Sequence, residues 1–277
     1  MHRNITLLAL ALAATGAPVL AQAIGIQTVR TGNDRNSAAN EIVQPQEKAL
    51  AGNGVDQTMQ FGDVLEGTDD DDVLIGRLGV DIMLGGNGND LLIGGPEHFN
   101  PQNRDRAFGG NGDDIFVWSP GDGSDYFDGG RGKDTLVFGL IGQKVGDIPV
   151  FAVSTDQQAG EVILDSSTSL PTVDVTRQPG FCTIIDKSAG PETAAELEQL
   201  GITHLVRFFV RGPANSFAAG TQDTDNGLRV TLHLKDVEYL VCTSRNGGQI
   251  DTFDLTVSPA APVVFSETPA RVQAIVR

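Results

Sequence analysis

From Gly67 to Val137 the chain repeats a nine-residue cell, and this period limits the possible folds more than any other feature. The cells "GTDDDDVLI" (67–75), "GRLGVDIML" (76–84) and "GGNGNDLLI" (85–93) abut without a gap. The next, Gly94 to Phe108, is six residues too long; it carries "PEHFNPQN" before Asp105 and Ala107 restore the frame. Then follow "GGNGDDIFV" (109–117), a two-residue step at Trp118 and Ser119, "PGDGSDYFD" (120–128) and "GGRGKDTLV" (129–137), making seven units. Each has Asp at its sixth place and an apolar residue at its eighth. Asp63 and Leu65 hint at a preceding half-unit with the same spacing.

The last three residues of a unit suit a very short strand, and the glycines of the first six suit a tight turn that needs positive φ. Strand, turn, strand, turn winds a flattened helix in which two units complete one coil. Successive coils then lie about 4.8 Å apart, the ordinary strand spacing. Leu74, Met83, Leu92, Ala107, Phe116, Phe127 and Leu136 point inward as the core. Units one coil apart superpose, so the aspartates form two columns: Asp72, Asp90, Asp114 and Asp134 in one, and Asp81, Asp105 and Asp125 in the other, with Asp63 a candidate for its start. Like charges about 5 Å apart repel by roughly 3 kcal/mol at an effective dielectric of 20. A hard divalent cation between turns removes that strain. Carboxylates plus the carbonyls of glycine turns supply the oxygen ligands calcium prefers, whereas magnesium demands stricter geometry and releases water reluctantly. A net charge of −17 and a pI near 4.4 agree with cations as partners and argue against nucleic acid or anionic membrane.

Units 85–93, 109–117 and 129–137 fit every fixed position of Gly-Gly-x-Gly-x-Asp-x-apolar-x, and so resemble the RTX, or hemolysin-type, calcium-binding nonapeptides. Departures are Arg77 at a second position, Thr68 and Asp70 at glycine positions, and Pro120 at a first position. The resemblance spans about 70 of 277 residues. It implies a right-handed parallel β-roll that binds several Ca2+ ions. The implied ligands are Asp72, Asp81, Asp90, Asp114, Asp125 and Asp134, with Asp105 beside the insertion, and the glycine turns around Gly86, Gly88, Gly110, Gly112, Gly130 and Gly132. Asp70 and Asp113 occupy variable positions and are expected to be solvated. The segment "KDVEYLVCTSRNGGQIDTFDLT" (235–256) resembles the strand and Gly turn that often follow such repeats, which makes the later region a cap for the roll. RTX proteins usually leave the cell through an exporter that reads an uncleaved C-terminal signal; no such tail is evident in "TPARVQAIVR".

Outside the repeats the chain divides into three parts. Residues 1–23 have a short basic start, an apolar run from Ile5 to Ala14 and the small-residue end Ala21-Gln22-Ala23, the layout of a cleavable signal peptide. Residues 24–57 are polar and aperiodic and read as a flexible leader, with the roll occupying 58–137. Residues 138–277 carry β-branched runs at 162–165, 173–176, 205–210, 228–234 and 237–241, and one helical stretch at 191–200 opened by Pro191. The expected fold is therefore mainly all-β: a parallel roll, then a mostly β region with one short helix. Export to an extracellular or periplasmic compartment favours one disulfide between Cys182 and Cys242; two buried thiols are the alternative. No later segment is long and apolar enough for membrane insertion.

No His-Glu-x-x-His, Gly-x-Ser-x-Gly or phosphate-binding loop is present. His204 and His233 fall in strand-like segments and read as packed or surface residues, as do Trp118 and Tyr126; His98 lies in the insertion. The leading expectation is an exported, non-enzymatic calcium-binding scaffold. A calcium-dependent adhesin with a cell-surface or matrix partner, and an enzyme with a site in 138–277, are the two other readings.

Overall fold

The computed structural model describes residues 28–31, 64–76, 80–95, 104–120, 122–145, 148–150, 161–178, 180–210 and 229–277. The proposed signal peptide, most of the leader, Asp63, Arg77 and the insertion with His98 lie outside these. The roll is built from β2 (Val64–Glu66), β3 (Asp72–Ile75), β4 (Ile82–Asn87), β5 (Leu91–Ile93), β6 (Arg106–Asn111), β7 (Ile115–Trp118), β8 (Tyr126–Arg131) and β9 (Thr135–Phe138). They follow β1 (Thr28–Thr31), which pairs parallel to β3. That strand falls in the stretch read as an aperiodic leader, where four residues are too few for any period to show.

Consecutive units alternate between two parallel sheets. β3, β5, β7 and β9 pair in one, so that Leu74, Leu92, Phe116 and Leu136 share a register line. β2, β4, β6 and β8 pair in the other and align Leu65, Met83, Ala107 and Phe127. All seven expected core residues have no exposed surface. The interior between the sheets holds them together with Trp118 and Phe138. Phe116 and Phe127 meet across it at 5.5 Å between ring centroids. At roughly 1.5–3 kcal/mol per buried large apolar side chain, this stack is the main cohesive force of the roll.

The two sheets differ in what covers them. Strands β4, β6 and β8 alternate buried and half-buried residues, as an outer face open to water requires. Strands β3, β5, β7 and β9 are buried on both faces. Their seventh and ninth positions (Val73, Ile75, Leu91, Ile93, Ile115, Val117 and Val137) join a second core with Val173, Val175, Val272, Ile275 and Val276.

The later region supplies that cover and also extends the roll. It contains β10 (Leu140–Ile141), β11 (Gln143–Val145), β12 (Ile148–Val150), β13 (Glu161–Val162), β14 (Val173–Asp174), β15 (Gly180–Ile185), β16 (His204–Val210), β17 (Arg229–Lys235), β18 (Tyr239–Thr243), β19 (Ile250–Asp254) and β20 (Ala261–Val263). The expected helix is α1 (Pro191–Leu200), ended by Gly201 at φ 68; a six-residue helix, α2 (Ala270–Ile275), lies near the C-terminus. β17 pairs parallel to β8, and β18 parallel to β9. Arg229–Thr243 thus lays a further coil on the roll, its turn reduced to Asp236, Val237 and Glu238. β16 and β15 then continue one sheet antiparallel, and β19 and β20 the other. The roll's last edge is therefore paired rather than open. The disulfide Cys182–Cys242 ties β15 to β18, one from each sheet, with Cα atoms 6.2 Å apart. Among the described residues no helix is long and apolar enough to cross a membrane.

Candidate metal columns

The aspartates stand in the two expected columns, each locked to the next by its own backbone. The Asp72 N–H donates to Asp90 Oδ1 (2.8 Å), Asp90 N–H to Asp114 Oδ1 (2.7 Å) and Asp114 N–H to Asp134 Oδ1 (2.8 Å). In the other column the Asp81 N–H donates to Asp105 Oδ1 (2.7 Å) and the Asp105 N–H to Asp125 Oδ1 (2.9 Å). The insertion before Asp105 therefore leaves it in line. All seven side chains are fully buried.

In Asp90, Asp114, Asp125 and Asp134 one oxygen, Oδ1, is thereby used. Oδ2 of Asp90, Asp114, Asp125 and Asp134 is buried and accepts no hydrogen bond. Burying an ionised carboxylate oxygen without donors is costly, and the cost raises the pKa of these groups. Burial pushes Asp114 up to about 8; the Asp90 N–H pulls the other way, while Asp134, Asp90 and Asp113 add repulsion. Burial likewise lifts Asp90 to about 7 against the Asp72 N–H, with Asp72 and Asp71 repelling and Arg271 opposing them. Asp134 rises to about 7 by burial, against the Asp114 N–H and with repulsion from Glu238. Asp125 also rises to about 7 by burial, which outweighs the Asp105 N–H, an Asp122 contact and Arg104.

The glycines explain how oxygens crowd so closely. A Cβ on Gly85 would lie 2.4 Å from Asp90 Oδ2 and 2.5 Å from the Gly109 carbonyl oxygen; on Gly109 it would lie 2.3 Å from Asp114 Oδ2 and 2.6 Å from the Gly129 carbonyl. The space beside Gly76, Gly85 and Gly109 is thus bordered by a carboxylate oxygen and a carbonyl from the next coil. Gly86, Gly88, Gly110, Gly112, Gly130 and Gly132 all have positive φ. They stack coil on coil: a Cβ on Gly110 would meet the Gly86 carbonyl at 2.2 Å. Among the described residues the columns offer buried acceptors lacking donors and clustered carbonyls, with no nitrogen or sulfur ligand. That donor set fits a hard, oxygen-seeking cation such as Ca2+.

Two participants were not foreseen from the sequence. Glu238 closes the longer column, its Oε2 accepting the Asp134 N–H at 2.7 Å. Asp122, at a variable position of its unit, is buried with Asp105 and Asp125, one oxygen of each lying within 4.8 Å of the others. An acid that takes the sixth-position role after a shortened turn leaves no periodic signal, and Asp122 carries no mark that separates it from solvated third-position residues. Asp113 accepts the Lys133 N–H (2.9 Å) in an outer ladder, and Asp70 is exposed, so both stay out of the columns. His204 is buried with its Nδ1 3.0 Å from Thr203 Oγ1, His233 lies half-buried in β17, and Trp118 is in the core.

Residues 59–92 and 121–140 match the family model of the RTX calcium-binding nonapeptide repeat, in four copies. The units between these stretches sit in the same two sheets and the same columns. The parallel β-roll and the matched repeats, which are calcium-binding nonapeptides, fit an RTX β-roll protein. Comparison with curated proteins and with solved structures finds no match.

Proposed function

We propose that this is an exported, non-enzymatic scaffold whose roll is completed by several calcium ions, open where calcium is scarce and folded where it is abundant. The observation that carries the reading is the buried Oδ2 atoms of Asp90, Asp114, Asp125 and Asp134, which have no donor and stand within the two columns. Bound calcium supplies the positive charge these oxygens need. The chain does the rest: backbone N–H groups hold Oδ1 of Asp90 and Asp114, so their Oδ2 atoms are presented toward the Gly109 and Gly129 carbonyls. Glu238 carries the long column into the later region, and the apolar cover of Val272 and Ile275 fixes that region to the roll's flank. Folding and ion binding are then one equilibrium, because ligands that bind only the folded state stabilise it.

The layout of residues 1–23 supports export. Extracellular calcium modules bind at roughly 10⁻⁴–10⁻³ M, a range that keeps such a roll open inside a cell and closed outside. Equilibrium dialysis of the chain lacking residues 1–23 should retain several equivalents of calcium and little magnesium. Expression of the full chain in a secreting bacterium should yield exported protein whose first residue is Ile24. Retention of no calcium would overturn the scaffold reading, and an intact N-terminus on the exported protein would overturn the cleaved signal.

A further inference from the structure

We propose that Asp122 joins Asp105 and Asp125 in a three-carboxylate cation site, the tightest in the roll and different in kind from the other stations. The inference rests on the calcium reading above and asks more of one turn. At Gly76, Gly85 and Gly109 the space beside the glycine is bordered by one Asp Oδ2 and the carbonyl oxygen of Gly94, Gly109 and Gly129 respectively. At Gly94 the pattern changes. A Cβ there would lie 2.5 Å from Asp105 Oδ2 and 2.9 and 3.0 Å from the two oxygens of Asp122. A charged carboxylate thus stands where the other stations present a neutral carbonyl.

The local sequence accounts for the switch. Trp118 and Ser119 add two residues before the unit, and Pro120 occupies the first glycine position. The turn is drawn inward, with the Trp118 Nε1–H donating to the Gly123 carbonyl at 3.0 Å and the Asp122 N–H to the Ser119 carbonyl at 3.0 Å. Third-position side chains elsewhere point outward: Asn111 donates to Asn87, and Asn87 to Asp69, along the exposed edge. Asp122 instead is 4 % exposed. Asp125, fully buried beside it, has an Oδ2 that accepts no hydrogen bond. Calcium affinity rises with the charge of the ligand set and the rigidity of the site. Three buried carboxylates shared by two stacked turns therefore select a hard cation of high charge, Ca2+ in nature and trivalent terbium as a probe.

The chain's single tryptophan, Trp118, donates to the residue next to Asp122, so a lanthanide at this site lies close to it. Terbium is titrated into the chain lacking residues 1–23, with excitation at the red edge of the tryptophan band and calorimetry alongside. Sensitised emission should rise with the first equivalent and be displaced by calcium last. Asp122→Asn should weaken the sensitised site by roughly tenfold or more, the scale on which metal sites respond to a lost supporting group. The same change at exposed Asp70 should leave it unaltered. Emission that appears only with later equivalents in the unmutated chain, or that is unmoved by Asp122→Asn, overturns the proposal while the calorimetric calcium stoichiometry keeps the scaffold reading intact. Absence of any calcium binding overturns the scaffold reading itself.

Discussion

Removing calcium should make the roll sensitive to pH in an unusual direction. Asp90, Asp125 and Asp134 titrate near 7 and Asp114 near 8 in the folded chain, against an ordinary value of 3.8. A tenfold change in an ionisation constant corresponds to about 1.4 kcal/mol. Holding one such buried carboxyl fully ionised therefore costs roughly 4 kcal/mol. Neighbouring carboxylates share their protons and the four costs do not add. Even two such groups rival the total stability of an ordinary domain, about 5–15 kcal/mol. A raised acid pKa means the folded state holds more protons than the unfolded one. The metal-free roll therefore keeps its stability below about pH 4 and loses it progressively as pH rises through 7 to 8. With calcium bound the dependence reverses, because the ion requires ionised carboxylates. Thermal melts followed by far-UV circular dichroism in excess chelator should show the melting temperature falling between about pH 5 and about pH 8, and in millimolar calcium staying level or rising. A chelated protein that melts at the same temperature across that window, or higher at the alkaline end, would refute the argument that burial strains these carboxylates.

Other consequences follow from particular contacts. Gly110→Ala places a Cβ 2.2 Å from the Gly86 carbonyl at φ +113, so it should cost at least about 1–3 kcal/mol and raise the calcium concentration at the folding midpoint. Ile275→Ala opens a void in the flank core; it should cost roughly 2–5 kcal/mol in denaturant melts with calcium present, while dialysis still returns the unmutated stoichiometry. Reducing Cys182–Cys242, which closes a 60-residue separation between the two sheets, should remove roughly 4 kcal/mol, measured as a lower denaturant midpoint at fixed calcium.

The period made the roll legible. An eighth-position apolar residue and a sixth-position Asp, repeated through a two-residue step and a six-residue insertion, could only place Phe116 and Asp114 as they are found. The flank core was less visible, because seventh and ninth positions do not separate the two sheets cleanly: Leu91 and Ile93 are covered and Arg106 and Asp128 are not, but Ile82 and Leu84 are apolar on the uncovered sheet and Thr135 is polar on the covered one. The cover, Val272 and Ile275, lies far along the chain and follows no repeat. Glu238 escaped for a similar reason, since it meets Asp134 across a sequence separation of 104 after a turn half the usual length. Asp122 escaped because its role depends on a turn drawn inward under Trp118, a tertiary effect acting on a position that is elsewhere solvated.

The most direct test of the central claim is a calcium titration of the chelator-stripped chain lacking residues 1–23, by calorimetry with far-UV circular dichroism at each step. The account predicts several ions bound, a cooperative gain of β signal in step with the heat, and no comparable response to magnesium. Binding without structural change, or a full β signal in chelator at neutral pH with no heat on adding calcium, would contradict it.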